Sequence, residues 1–464
     1  MTIQGGFDPK NWQKTDKATT IIKPGNYFPA DSPLITVADK EANIIDVGLS
    51  DPDDISHYFI NQQSGELVLT EITLLPSSSY PYPPIHQENG ALRINDCRFR
   101  FDTVAVPRVI SVKGSSFTMK KSTISFKNSI DDISLIFIDR VPEAVITECS
   151  FFPGSGNRIY GIDAVNSRVS VIKSMIETGV SAVRSAGINA LNTELSIENT
   201  EFSGNEESRV TFCIQGEGNE IKLFNTEIYA LGKRGATGLY VKDTKVDVQE
   251  CTFVTNYCEE FSYFLKLHNS SGAFFNNHFL GYHTNDLIGI EITGGNIDFI
   301  HNSAVIEESD NVEIGFLIQN SPDTKIVNNI FCKRGNNRNG RKTAALIING
   351  ELPSHILANN FGGWNTYARI NETEFSDLAG FNLFDGEPLS GPISGNIAEP
   401  FYNTFRETKI GSFHLKESSQ CVDAGIDPAS LNGPLFDRDG ERRPNPDHGV
   451  PPATDIGSDE YYSR

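Results

Sequence analysis

Apolar and polar residues alternate with a period of two over most of the chain, and the alternation itself recurs. One phrase repeats: an apolar residue, another two later, then Asn, Cys, Ser or Thr three further on, then an apolar residue two beyond. It reads Leu92-Arg-Ile94-Asn-Asp-Cys97-Arg-Phe99, then Phe117-Thr-Met119-Lys-Lys-Ser122-Thr-Ile124, and later Val246-Asp-Val248-Gln-Glu-Cys251-Thr-Phe253. The closing position falls at Leu74, Phe99, Ile124, Phe151, Ile176, Phe202, Ile228, Phe253, Phe279, Ala304, Phe331 and Phe361, in nearly constant steps. Self-similarity at a fixed step marks a repeat architecture. A local period of two, with β-branched and aromatic residues dominant, makes each phrase a strand. A second strand precedes most phrases, as in Gly238-Leu-Tyr-Val241 and Ile288-Gly-Ile290-Glu-Ile292, and no stretch within 60–365 sustains a helical pattern.

The step length narrows the choice. A leucine-rich horseshoe needs an L-x-x-L-x-L-x-x-N pattern that is missing here, and propeller blades need about 40 residues or more. The pattern predicts an all-β chain, a single-stranded right-handed parallel β-helix of about 12 coils over 61–365. Residues 1–60 are expected as an N-terminal cap with first irregular coils, and 366–464 as a C-terminal capping segment, because open solenoid ends would template aggregation. Two inward ladders are expected. One is the Phe-rich closing column; the other, two residues earlier, runs Cys97, Ser122, Cys149, Ser174, Thr200, Thr226, Cys251, Asn277, Asn302, Asn329 and Asn359. Its last four members predict stacked amides that satisfy one another and the turn backbone. Cys97, Cys149 and Cys251 then read as small, inert core residues.

Charge removes some functions. Across 464 residues, 60 Asp and Glu stand against 39 Lys and Arg, a formal charge of −21. That excess argues against a nucleic-acid partner, because phosphate contacts need cations to displace counterions. No apolar run approaches the roughly 18 residues of a spanning helix, so a membrane-spanning protein is not expected. Seven cysteines, none in a C-x-x-C pair, predict neither a disulfide scaffold nor a structural zinc site. Met1-Thr-Ile-Gln-Gly-Gly-Phe7 lacks the basic start and apolar core of a secretion signal.

The two ends carry a resemblance. Ile3-Gln-Gly-Gly-Phe7 with Trp12 and Thr20-Ile-Ile is similar to the opening of many bacterial surface β-helix proteins. Phe413-His-Leu, Asp423-Ala-Gly425, Asp437-Arg-Asp439-Gly440 with Arg443-Pro444, and Asp455-Ile-Gly457 with Glu460-Tyr461 resemble the tail of choice-of-anchor Q proteins. Gln420-Cys421 stand where that family usually has Pro-Ala. Such proteins are right-handed parallel β-helices of the pectate-lyase-like superfamily and usually exported. The resemblance therefore implies an extracellular or cell-surface location, with the export signal not present in this chain. It implies no reaction, since the superfamily holds lyases, hydrolases, adhesins and spacers.

Candidate chemistry lies mainly in the scarce cations. The N-T-D and G-H-G motifs of a polygalacturonase are missing, and the acid pairs Asp53-Asp54, Asp131-Asp132, Glu206-Glu207 and Glu259-Glu260 fall in expected turns. Glu201 and Glu227 hold the same outward position of consecutive coils, with His278 two coils on, a stack compatible with glycosidase carboxylates or with a plain acidic surface. Arg158, Arg184, Arg209 and Arg234 follow Ile146, Val171, Ile197 and Leu223 at nearly equal offsets, with Lys233 adjoining and Arg108 and Arg341 at related positions in other coils. Stacked arginines need anions between them: ion pairs to Asp163, Glu206 and Glu207, or a carboxylated or sulfated glycan gripped by guanidinium forks. A second basic run, Lys333-Arg334 with Arg338, Arg341 and Lys342, is either a solvated loop or a grip on the same polymer. The Tyr80-Pro-Tyr82-Pro-Pro loop, with His86, either stacks sugars or packs on the N-terminal cap. Asp437-Arg-Asp439-Gly440 opens like a calcium loop without the distal Glu, so a tight turn is expected. The combined reading is a monomer that binds an acidic polysaccharide or host or cell-surface glycan and needs no cofactor. The alternatives are a polysaccharide lyase, for which Ca²⁺ would enter, and a structural stalk or adhesin.

Overall fold

Each repeated phrase breaks in the middle. The residue before the ladder position adopts a left-handed backbone: Asp96, Lys121, Glu148, Lys173, Asn199, Asn225, Glu250, Asn276, His301 and Asn328 all have φ between 44° and 57°. None is β-branched, the side-chain type that tolerates this region least. One such residue turns the chain sharply, so the phrase, expected as one strand, is two: Ala91–Asn95 then Arg98–Val104, for example. A third strand, Arg108–Lys113, completes that turn.

The computed structural model describes residues 2–4, 20–22, 35–37, 41–45, 47–50, 60–75, 83–104, 107–129, 132–282, 284–307, 309–335, 342–384, 393–406, 413–445 and 453–461. The chain is a right-handed parallel β-solenoid of about 11 turns with almost no helix, close to the expected 12 coils. It divides into two compact units, Met1–Asn219 and Glu220–Arg464.

In the first unit, successive turns pair in parallel and in step: Leu92 faces Phe117, Phe99 faces Ile124, and Ile110 faces Ile136. Strands before residue 60 join the stack, with Ile3 opposite Ile44 and Ile44 opposite Leu69. The closing column runs from Leu74 through Phe99, Ile124, Phe151 and Ile176 to Phe202, all buried.

The second unit repeats the plan. Ile228, Phe253, Phe279, Ala304 and Phe331 stack in register, and the Phe253 and Phe279 rings lie 5.1 Å apart. The asparagine ladder is present and one member longer than expected, because Asn396 joins it. Asn277, Asn302, Asn329, Asn359 and Asn396 are buried, and each of the first four donates its amide to the next at 2.9–3.0 Å. All seven cysteines are buried thiols, none of them in a disulfide. Burial pushes the Cys97 and Cys251 thiols up to about 12, leaving them inert at neutral pH.

Residues 401–406, 413–445 and 453–461 supply side chains that lie against the outward side of one sheet of this unit. Val254, Leu280 and Val305, which point away from the solenoid interior, pack under Phe401, Phe405, Phe413, Leu415, Ile456 and Tyr461. Among the described residues no helix is long and apolar enough to cross a membrane.

Candidate functional site

Within a strand, side chains alternate between interior and surface. In the strand Ser155–Val165 of the first unit, Ile159, Ile162 and Ala164 are buried while Arg158, Tyr160 and Asp163 face outward. Register then builds columns on that surface. Ser111, Phe137, Asp163, Asn189 and Gln215 form one, and Ser134, Tyr160, Ala186 and Phe212 another. A β-bulge after Gly156 lets Arg158 pair with Arg184, although the neighbouring strand carries one more residue there.

These side chains form a connected polar surface. Asn189 donates to Asp163 at 2.7 Å, Gln215 donates to Asn189, and Arg184 donates to Gln215. The Arg184 guanidinium lies 4.4 Å from the Phe212 ring centre and Arg108 lies 3.4 Å from that of Phe137, cation–π geometry in both cases. Burial pushes the Asp163 carboxyl above its ordinary range, and the Asn189 hydrogen bond opposes the shift. Arg158 has an exposed partner, Asp132, at 3.5 Å.

The expected arginine column is thus partly assembled. Arg158 and Arg184 are adjacent. Arg209 is not in line: the register pairs Ser185 with Thr211, so Arg209 stops one residue short of the level of Arg184, in the turn before Val210–Glu217. It is exposed and has no ion pair among the described residues. Lys233 and Arg234 belong to the second unit, both exposed; Arg234 pairs with Glu260 at 3.5 Å. Asp163, Glu206 and Glu207 do not form ion pairs with these cations; Asp132 and Glu260 do.

The second basic run divides. Lys333 is fully buried against Glu313 at 2.6 Å, beyond reach of any polymer. Arg334 pairs with Glu307 at 2.7 Å and packs over Phe401 and Tyr402, tying the solenoid to the C-terminal segment. Arg338 and Arg341 lie outside the described residues, as do Asp53, Asp54, Asp131, Tyr80 and Tyr82. His86 is nearly buried.

The carboxylate stack loses its histidine. Glu227, Thr252 and His278 do share a column, but His278 lies under the Phe413 ring at 4.0 Å and shares a hydrogen bond with Ser458. Burial pushes its pKa well down, so it is neutral. Asp437 forms a tight turn, accepting Glu441 N–H on its carboxylate at 2.7 Å. Asp437, Glu441 and Asp459 each bring one oxygen within 4.8 Å of the others, yet the Asp437 and Asp459 carboxylates already hold backbone N–H groups of Glu441, Glu460 and Leu415.

A further cluster emerges in the second unit. Tyr240, Lys266 and Glu291 share an outward column, with Tyr263 and His268 flanking Lys266. Glu291, nearly buried, pairs with Lys266 at 3.2 Å, lies 4.0 Å from His268 and hydrogen-bonds Tyr263, whose hydroxyl is pushed up to about 12, mainly by burial. Lys266 and Glu291 stand one coil step apart in the sequence, which was the available signal. The aromatic partners of Arg108 and Arg184, Phe137 and Phe212, lie slightly more than one coil step ahead, so their pairing follows from side-chain reach across columns.

The fold places the chain among parallel β-solenoid proteins. No protein-family model and no curated protein matches it. Among solved structures, a mutant of the PL6 family alginate lyase AlyGC aligns over 86% of this chain and 100% of its own, at 8% identity and a TM-score of 0.15. At that similarity nothing of the lyase's activity carries over.

Proposed function

We propose that this is an exported or surface-associated bacterial β-helix protein that binds acidic carbohydrate on the outward face of its first unit. The carrying observation is the side-by-side register of Arg158 and Arg184, set about 4.8 Å apart by the strand spacing. An exposed carboxylate, Asp132, serves Arg158 as an ion-pair partner and leaves the guanidinium open to solvent. Guanidinium forks fit carboxylate and sulfate oxygens. Tyr160 and Phe212 add flat apolar faces of the kind sugars stack on, and the Asp163–Asn189–Gln215 chain offers hydroxyl partners. The bacterial surface location is supported by the resemblance of both chain ends to exported β-helix proteins.

A glycan array spanning pectate, alginate, hyaluronan and heparan sulfate, followed by calorimetry, tests the reading. Binding to at least one acidic glycan is expected, with Arg184→Ala weakening it about tenfold, or ~1.4 kcal/mol. No binding to any uronate or sulfated glycan would sink it. The Tyr263–Lys266–Glu291–His268 cluster favours a second reading, a polysaccharide lyase, because it gathers acid and base groups beside aromatic rings. Absorbance of unsaturated products on the same polymers, with and without Ca²⁺, checks this; flat traces throughout would remove it.

A further inference from the structure

Successive turns of the second unit depart from the pattern of their own sheet. The outward column that holds Thr237 and Tyr263 continues as Ile288, Ile314 and Ala344. Its neighbour, holding Tyr240, Lys266 and Glu291, continues as Leu317 and Ile347. Outward aliphatic side chains on adjacent turns pack into an apolar cluster. Ile314, Ala344 and Ile347 are only 9%, 7% and 5% exposed, with Ile288, Val312 and Leu317 packed around them.

The hairpin Thr366–Ile370 and Thr373–Phe375 borders this patch and leaves a cavity of about 640 Å³, within the range of small-molecule sites. Its floor is Val312, Ile314, Ala344 and Ile347, and its lip carries Arg369 and Glu374. These two face each other across the antiparallel pair, and Arg369 follows Ile347 in register. Yet they form no ion pair with one another. Glu374 accepts from Thr366 at 2.8 Å, and Arg369 has no ion pair among the described residues. Opposite charges held side by side above an aliphatic floor match a ligand with the complementary set: a carboxylate for the guanidinium, an ammonium for the glutamate, and an apolar body.

We propose that this cavity binds a small zwitterion with an aliphatic body, an apolar α-amino acid or a dipeptide of such residues. The site shares no residue with the arginine face, so it stands or falls separately from glycan binding. Calorimetry on the full chain with L-leucine, L-leucyl-L-leucine and octanoate tests it. Saturable binding of leucine or leucyl-leucine is expected, at least tenfold tighter than octanoate. Arg369→Gln and Glu374→Gln should each weaken it tenfold or more while leaving the melting temperature unchanged, since both side chains are exposed. Octanoate binding as tightly as the zwitterions, indifference to Glu374→Gln, or no binding of either zwitterion would each overturn the proposal.

Discussion

At the scale of single residues, the asparagine ladder shows why a polar side chain belongs in this core. Asn302 receives the backbone and side-chain N–H of Asn277 on its oxygen, at 3.0 and 2.9 Å, and donates to Phe274 O and Asn329. Every polar atom of the buried amide is used, and each bond also fixes a bend where a left-handed residue has just turned the chain. Replacing Asn302 by Leu removes these partners at once and strands a buried carbonyl and two N–H donors. Unsatisfied buried groups cost about 1–3 kcal/mol each, so Asn302→Leu should lower stability by about 3 kcal/mol or more. Urea unfolding followed by circular dichroism measures it, and a loss below about 1 kcal/mol would show that the ladder is decorative. By contrast, Thr200 and Thr226 hold the same ladder position with a hydroxyl that returns to a local carbonyl at 3.0 Å. The Thr200 hydroxyl also accepts the Ser174 N–H of the preceding turn at 3.3 Å, but it has no second donor to pass along a ladder as the amides do.

At the scale of elements, the C-terminal segment is held by a buried charged network more than by regular structure. Arg443 is fully buried, 3.5 Å from Glu460 and 3.1 Å from the Gly457 carbonyl. Asp455 takes the N–H groups of Asp423 and Tyr461, both at 2.6 Å. Burial, with the Asp455 charge beside it, pushes the Glu460 carboxyl up to about 9, and the Arg443 guanidinium only partly opposes this. Asp455 is raised to about 6, again mainly by burial. A carboxyl whose pKa is raised on folding holds a proton that the unfolded chain releases near pH 4.3. Its contribution is therefore full below that value and is lost as pH climbs through the folded range. The melting temperature should fall between pH 5 and pH 9, and Glu460→Gln, which cannot ionise, should fall less steeply. Parallel curves for the two proteins would show that Glu460 is not the group responsible.

At the scale of the whole molecule, the charge of −21 and the arginine face act over different ranges. An approaching polyanion meets net repulsion first and the guanidinium pair only at contact. The Debye length shrinks from about 30 Å at 0.01 M salt to about 10 Å at 0.1 M. If the first unit binds acidic glycan, added salt in this interval should raise the association rate of a uronate oligosaccharide and also raise its dissociation rate. Surface plasmon resonance across that salt range separates the two. An association rate that falls with salt would mean that the local cations, not the bulk charge, govern encounter.

Much of this molecule could be read from one dimension, because a solenoid converts sequence spacing directly into stacking. The near-constant step placed Phe99 beside Ile124 and Phe253 beside Phe279, and placed Asn277, Asn302, Asn329 and Asn359 in one inward column, as the registers bear out. The site was less legible. Spacing put Arg158, Arg184 and Arg209 in line, but a bulge after Gly156 and a turn before Val210 decide that only the first two meet. Lys333 sat in a run of cations, yet its side chain turns inward to Glu313. His278 occupied an outward position and is nonetheless partly covered, because Phe413, from several coils further along the chain, folds over it. The repeat alone therefore determined the fold and the inward ladders of the core, since these follow from a local period and a fixed step. Which surface positions remain open to a ligand was decided only in three dimensions. That depends on bulges, ion-pair choice and a covering segment, none of which has a period to read.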